Sequence, residues 1–221
     1  MSGIVSLSAV EQARWIRERL ISARDLINAH LERIAQVNPA LNAAVDVLSE
    51  SARREAQLAD ERQARGEPLG PLHGVPFSVK DSIEVAGTVS TAGTLGLAKS
   101  APASRDATLV ARMRAAGAIP IAKTNLPELL FAFESDNLIF GRTNNPYDLS
   151  RTCGGSSGGE AALIAACGSP FGLGSDAAGS VRLPAHFCGI AGIKPTSGRL
   201  ARTGHVPPAG GWIESLWQIG P

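Results

Sequence analysis

Cys153–Lys194 reads CGGSSGGEAALIAACGSPFGLGSDAAGSVRLPAHFCGIAGIK, a run dense in glycine, alanine and serine that apolar residues and single charges punctuate at fixed places. After Asp176 no acidic residue appears until Glu214. Three of its serines, Ser156, Ser157 and Ser180, stand beside glycines, which lack a Cβ and let backbone approach a substrate closely. The composition predicts a backbone cradle with serine chemistry rather than a linker.

Working outward, the run continues a strand–helix–strand rhythm. Pro76–Lys80 reads as a strand, Asp106 is expected to cap a helix through Ala116, Gly117 stops it, and Ala118–Lys123 reads as a second strand. A helix after Gly158, a strand near 171–174 and a short helix after Gly179 follow, which indicates an α/β sheet covered by helices. Upstream, Ser8/Glu11 and Ser22/Asp25 have capping-box spacing and open two helices, with Asn38-Pro39 expected to end the pair. Leu41–Leu48 is a candidate short strand and Ser49–Arg65 a charged, mostly solvent-facing helix.

The totals bound the function. The 221 residues are 44% hydrophobic, enough for a real core. Twenty-one basic against twenty acidic residues leave a net charge of +1, which calls for neither nucleic acid nor an anionic membrane. Three cysteines without CxxC spacing argue against a disulfide framework or structural zinc, and with the absence of a secretory h-region they predict a cytoplasmic protein. No run of about 18 apolar residues occurs, so no spanning helix is expected.

Three motif readings compete. Gly155-Ser156-Ser157-Gly158-Gly159 matches the nucleophile elbow G-x-S-x-G with Ser157 as nucleophile, but the approach NNPYDLSRTC is polar, contains Pro146 and makes a poor strand. Gly172-Leu-Gly-Ser-Asp-Ala177 matches G-x-G-x-x-A, yet the ribose-binding acid about 20 residues later is missing. The third joins Ser180 to Lys80, because a serine needs a base and a buried lysine can be neutral near pH 7. Ser156 would relay the proton between them.

GGSSGGEAALIAA, GSDAAGSVRLPAHFCGIAGIKPT, GVPFSVKDSIEVAGTVSTAGT and GAIPIAKTNLPE resemble the amidase signature family of serine hydrolases, over a stretch from about Leu20 to the last residue. The resemblance implies a mixed, mainly parallel twisted sheet covered by helices on both faces. It divides the chain into an N-terminal helical arm, 1–68, and the N-terminal part of the α/β core, 69–221. It makes Ser180 the nucleophile, Lys80 the general base and Ser156 the bridging serine, preceded by a cis peptide bond. The N–H groups of Ala177, Ala178, Gly179 and Ser180 would form the oxyanion hole, with Ser157, Asp176 and Arg182 in support. Ser156 and Ser180 lie 24 residues apart, as the family pattern requires. No metal or organic cofactor is implied.

Other candidates read as structural. Lys123 and Lys194 follow apolar residues, and Asp176 and Arg182 are expected to brace the loop as an ion pair. Cys153 stands where relatives commonly have proline, and is either a reactive thiol or a buried inert one. The four histidines, His30, His73, His186 and His205, have no visible partners.

The resemblance also sets the expected partners. Family members run to well over 400 residues, and Ile213, Leu216, Trp217 and Ile219 call for burial, so a second copy of the chain or a C-terminal half is expected beside it. The leading function is hydrolysis of a small amide, ester or carbamate. The alternatives are a glutaminase subunit of a glutamyl-tRNA amidotransferase, and a non-catalytic remnant.

Overall fold

Ser8 opens the first helix as its spacing to Glu11 predicts. In the computed structural model, which describes residues 3–208 and 218–220, the Glu11 N–H donates to Ser8 Oγ at 3.3 Å and the Ser8 N–H donates to Glu11 Oε2 at 3.0 Å. That box starts α1 (Ala9–Arg17), and Ser22 starts α2 (Ala23–Leu41) by accepting the Asp25 N–H at 3.0 Å. The expected stop at Asn38-Pro39 is not found. The helix runs through Pro39 and ends at Asn42, whose φ of 51° and ψ of 45° turn the chain left-handed. Proline removes one amide donor, and the turn that follows is held by Asn38, whose Oδ1 accepts from both Ala43 N–H and Ala44 N–H at 2.8 Å.

The remaining elements are β1 (Ala44–Val47), α3 (Ser49–Ala64), β2 (Pro76–Lys80), α4 (Thr108–Ala115), β3 (Ile119–Thr124), β4 (Asn144–Asn145), β5 (Asp148–Thr152), α5 (Gly158–Ala165), β6 (Gly172–Asp176), α6 (Arg182–Cys188) and β7 (Gln218–Gly220). Asp106 does not cap α4, whose N-cap is Ala107. Its carboxylate instead accepts from the Ala86 N–H at 2.8 Å and pairs with Arg114 at 2.9 Å, tying the loop after β2 to the helix.

Five strands form one mixed sheet in the order β1-β3-β2-β6-β7. The central three, β3, β2 and β6, run parallel, and β1 and β7 flank them antiparallel. Strand alternation sorts side chains between two helical layers. Phe77 and Val79 of β2 join Leu109 and Val110 of α4 and Leu173 of β6 on one face. Their neighbours Ser78 and Lys80 point to the opposite face, where both contact α5 or the turn before it. A second apolar cluster there unites Ile16, Leu26, Ile27 and Ile34 with Ile121 and Leu163, so α1, α2 and α5 pack together against the sheet. Each such aliphatic side chain contributes roughly 1.5–3 kcal/mol on full burial. Helix α3 follows the charged reading: its buried residues are Ala52, Ala56 and Ala59 alone.

The polar approach to Ser156, read as a poor strand, does form one. β5 pairs antiparallel with β4 in a separate two-stranded sheet. Its residues 148–151 are exposed, so no buried face had to be encoded. Among the described residues no helix is long and apolar enough to cross a membrane. Ile213, Leu216 and Trp217 lie outside the described residues.

Candidate active site

Two turns converge at the C-terminal ends of the parallel strands. β2 ends in Lys80, which is fully buried. The turn 153–157 leads into α5 and carries Ser156, also fully buried, behind a cis Gly155–Ser156 peptide bond. The turn after β6 carries Ser180, 6% exposed, preceded by Gly179 at φ 125°, a conformation that favours glycine. The Ser157 N–H donates to Ser180 O at 3.0 Å and locks the two turns together.

Lys80 Nζ lies 2.6 Å from Ser156 Oγ, 3.2 Å from Ser175 Oγ and 3.5 Å from Ser175 O. Burial pushes the Lys80 amine well below the usual lysine range, against the opposing pull of Asp176 and Glu160. A neutral amine within hydrogen-bond reach of a serine hydroxyl can accept its proton. The histidines have other work. His30, read as lacking partners, contacts Gln12 at 3.0 Å and Gly168 O at 3.1 Å, and His73 contacts Ala59 O at 3.0 Å. His205 contacts Ser82 at 3.4 Å and Pro207 O at 3.3 Å.

Asp176 organises the Ser180 turn. Its Oδ1 accepts from the Gly179 N–H at 2.7 Å and from Arg182 Nη2 at 2.9 Å. Its Oδ2 accepts from the Val181 N–H at 3.0 Å, the Arg182 N–H at 3.2 Å and Arg182 Nε at 3.0 Å. Burial works to raise its pKa, but the Arg182 guanidinium and these backbone donors outweigh it and hold the carboxyl at about 2. Of the four N–H groups expected in an oxyanion hole, Gly179's is therefore committed to Asp176. Those of Ala177, Ala178 and Ser180 donate to no backbone acceptor among the described residues. Ser157 follows Ser156 in the turn, donating from Oγ to Ser175 O at 3.2 Å and accepting the Ser175 N–H at 3.3 Å.

Three features escaped the sequence reading. Ser175 is a second hydroxyl on Lys80. Glu160, buried in the first turn of α5, accepts from Ser78 Oγ at 2.5 Å and Thr124 Oγ1 at 2.7 Å. Lys123, read as structural, has a specific partner: it pairs with buried Asp81 at 3.0 Å and donates to Ser90 Oγ at 2.8 Å. The visible signal was alternation: Ser78 is two residues before Lys80 on one strand, and so shares its face. Cys153 is buried, and burial drives its thiol up to about 12, the direction of an inert cysteine. Among the described residues no group of three or more His, Cys, Asp or Glu side chains is placed to hold a metal ion.

The Amidase family model matches residues 25–221. Over 221 residues the chain is 43% identical to a glutamyl-tRNA(Gln) amidotransferase subunit from Acidothermus cellulolyticus, covering 100% of this chain and 43% of that protein. It is 40% identical to human fatty-acid amide hydrolase 2, covering 99% of this chain and 42% of that one. The structure of 6-aminohexanoate cyclic dimer hydrolase complexed with substrate superposes with a TM-score of 0.88 at 37% identity, over 99% of this chain and 43% of that chain. The chain thus spans less than half the length of the curated relatives it matches. A family model that covers all but the first 24 residues, and relatives alike across the whole length, establish that the chain belongs to the amidase family.

Proposed function

We propose that the chain carries the catalytic centre of an amide C–N hydrolase that works through an acyl-enzyme, with Ser180 as nucleophile, Ser156 as relay and Lys80 as base. The observation that carries this reading is the buried Lys80 Nζ at 2.6 Å from Ser156 Oγ, in a turn hydrogen-bonded to Ser180. Neutral Lys80 takes the Ser156 hydroxyl proton as Ser156 takes that of Ser180. Ser180 Oγ then bonds to the carbonyl carbon, and the oxygen that becomes negative is met by N–H groups of Ala177, Ala178 and Ser180. The C–N bond breaks as the proton returns through Ser156 to the leaving amine. Water enters by the same relay and releases the acid. Asp176 and Arg182 hold the turn in shape; Ser157 supports it from behind.

The first substrate class is a small amide, with esters and carbamates open to the same chemistry. The 43% identity to a component of an amidotransferase favours a second reading, release of ammonia from glutamine within a multi-subunit assembly. Glutamine turnover that appears only with partner subunits selects the second, and turnover of a chromogenic anilide without them selects the first. The test common to both is fluorophosphonate treatment followed by intact-mass and peptide mapping. One adduct on Ser180 is expected, lost in Ser180→Ala and strongly slowed in Lys80→Ala. Labelling that persists in Ser180→Ala removes the assignment, and so does an unreactive wild-type protein.

A further inference from the structure

Glu160 is a buried carboxylate that the proposed reaction does not use. It stands in the first turn of α5, four residues after Ser156. Its two oxygens bridge two strands, Oε2 accepting from Ser78 of β2 and Oε1 from Thr124 of β3. In the sheet register Thr124 is the partner of Lys80, and Ser78 is the partner of Gly172 on β6. The carboxylate therefore lies over the strands immediately beneath the Lys80–Ser156 contact. Space for it is cut into the sheet: a Cβ on Gly172 would overlap Glu160 Oε2 and stand 2.7 Å from Ser78 Oγ. An apolar residue would fill this volume without the cost of a buried charge, which makes a purely packing role a poor account of the site.

We propose that Glu160 is a positioning residue for the Ser156–Lys80 pair. Its carboxylate pins the helix that follows Ser156 onto β2 and β3, and places a negative charge, when ionised, beside the Lys80 amine. The proposal rests on the catalytic reading of Lys80 above. Two opposing demands meet at that amine. Burial alone lowers proton affinity, and a base that binds its proton too weakly cannot draw one from serine. A negative charge on the same face restores part of that affinity. Glu160 interacts electrostatically with Lys80, as does Asp176 at the end of β6. The other charged groups around the pair are Lys123 on β3, which acts on Glu160 and is itself paired with Asp81, and His205, which senses Lys80 from the segment after α6. Burial raises the Glu160 carboxyl to about 7 against its hydroxyl partners and the two lysines, so the two sites titrate as a coupled pair.

Glu160→Gln tests this, since an amide can still bond both hydroxyls but carries no charge. The direct readout is the Lys80 13Cε chemical shift followed against pH, assigned with Lys80→Arg; the functional readout is the pH dependence of fluorophosphonate labelling of Ser180. Removing a negative neighbour disfavours the ammonium, so the Lys80 midpoint is expected to fall by roughly 0.5–1 pH unit, and the acid limb of labelling to move down with it. A brace with no electrostatic role would lower stability and leave both midpoints in place, and that result overturns the proposal. If the Lys80 midpoint falls but the labelling limb stays, the catalytic reading of Lys80 fails and takes the proposal with it. Thr124→Val serves as a second variant should Glu160→Gln not fold. It removes one of the two hydroxyls that favour the charged carboxylate, and is expected to move the Lys80 midpoint in the same direction by a smaller amount.

Discussion

Replacing Asp176 with asparagine removes the acceptor around which the Ser180 turn is built. Five donors converge on this carboxylate: the N–H groups of Gly179, Val181 and Arg182, and two nitrogens of the Arg182 guanidinium. An asparagine can place its single oxygen at the Oδ1 position. Its NH2 then faces the Val181 N–H, the Arg182 N–H and Arg182 Nε, so three donors meet a donor. The side chain of Asp176 is fully buried, while that of Arg182 is 53% exposed. The ion pair itself is therefore worth only about 0–1 kcal/mol, and the backbone bonds carry the rest. The drop in pKa from 3.8 to about 2 corresponds to roughly 2 kcal/mol in favour of the charged over the protonated form. Leaving buried backbone donors without an acceptor adds to this, for an expected total of about 3–5 kcal/mol.

The assay is equilibrium denaturation in urea at pH 7 for wild type, Asp176→Asn and Arg182→Ala, with the first two repeated at acid pH. Because the folded-state pKa lies below the unfolded one, the contribution is complete above about pH 4 and is lost as pH falls towards about 2. The wild-type advantage over Asp176→Asn should therefore shrink across that window. Arg182→Ala should cost no more than about 1 kcal/mol. A loss under about 1 kcal/mol for Asp176→Asn, or an equal loss for both variants, refutes the claim that backbone donors dominate.

Three further outcomes follow from buried groups elsewhere. Lys123→Met leaves Asp81 buried without its cation and should cost about 3–5 kcal/mol; Lys123→Met with Asp81→Asn should recover part of it, and a fully additive double variant in urea denaturation would show the two residues to be uncoupled. Gly172→Ala drives a methyl into the Glu160 carboxylate and should cost about 1–3 kcal/mol by thermal denaturation, as overpacking does. Iodoacetamide at pH 7.5 should alkylate Cys167, which is partly exposed, and spare Cys153 and Cys188, whose thiols burial pushes up to about 12; prompt modification of Cys153, read by peptide mass, would make it a reactive thiol after all.

How far the sequence discloses this site depends on whether a residue's partner is local or remote. Capping at Ser8 and Ser22 was legible because donor and acceptor lie three residues apart. The parallel core was legible because the strands carrying Lys80 and Lys123 are apolar runs set off by glycine and proline. Failures came where a polar side chain had a choice. Asp106 had the spacing of a cap, yet its carboxylate is taken by an amide 20 residues upstream and a guanidinium on the helix it precedes. The 148–152 strand carries no alternation, because a two-stranded ribbon exposed along most of one strand imposes no burial pattern. Glu160 is the deepest case. The pair of hydroxyls that give it meaning lie 82 and 36 residues away, and nothing within its own helix distinguishes it from a first-turn glutamate serving the helix dipole. What did survive in sequence is the consequence rather than the cause: a glycine at position 172, required because the carboxylate occupies the volume a side chain would need. The glycine density that marked this run as a cradle therefore has two separate origins. Gly179 serves the backbone geometry of the Ser180 turn, whereas Gly172 makes room for a buried charge next to the proposed base.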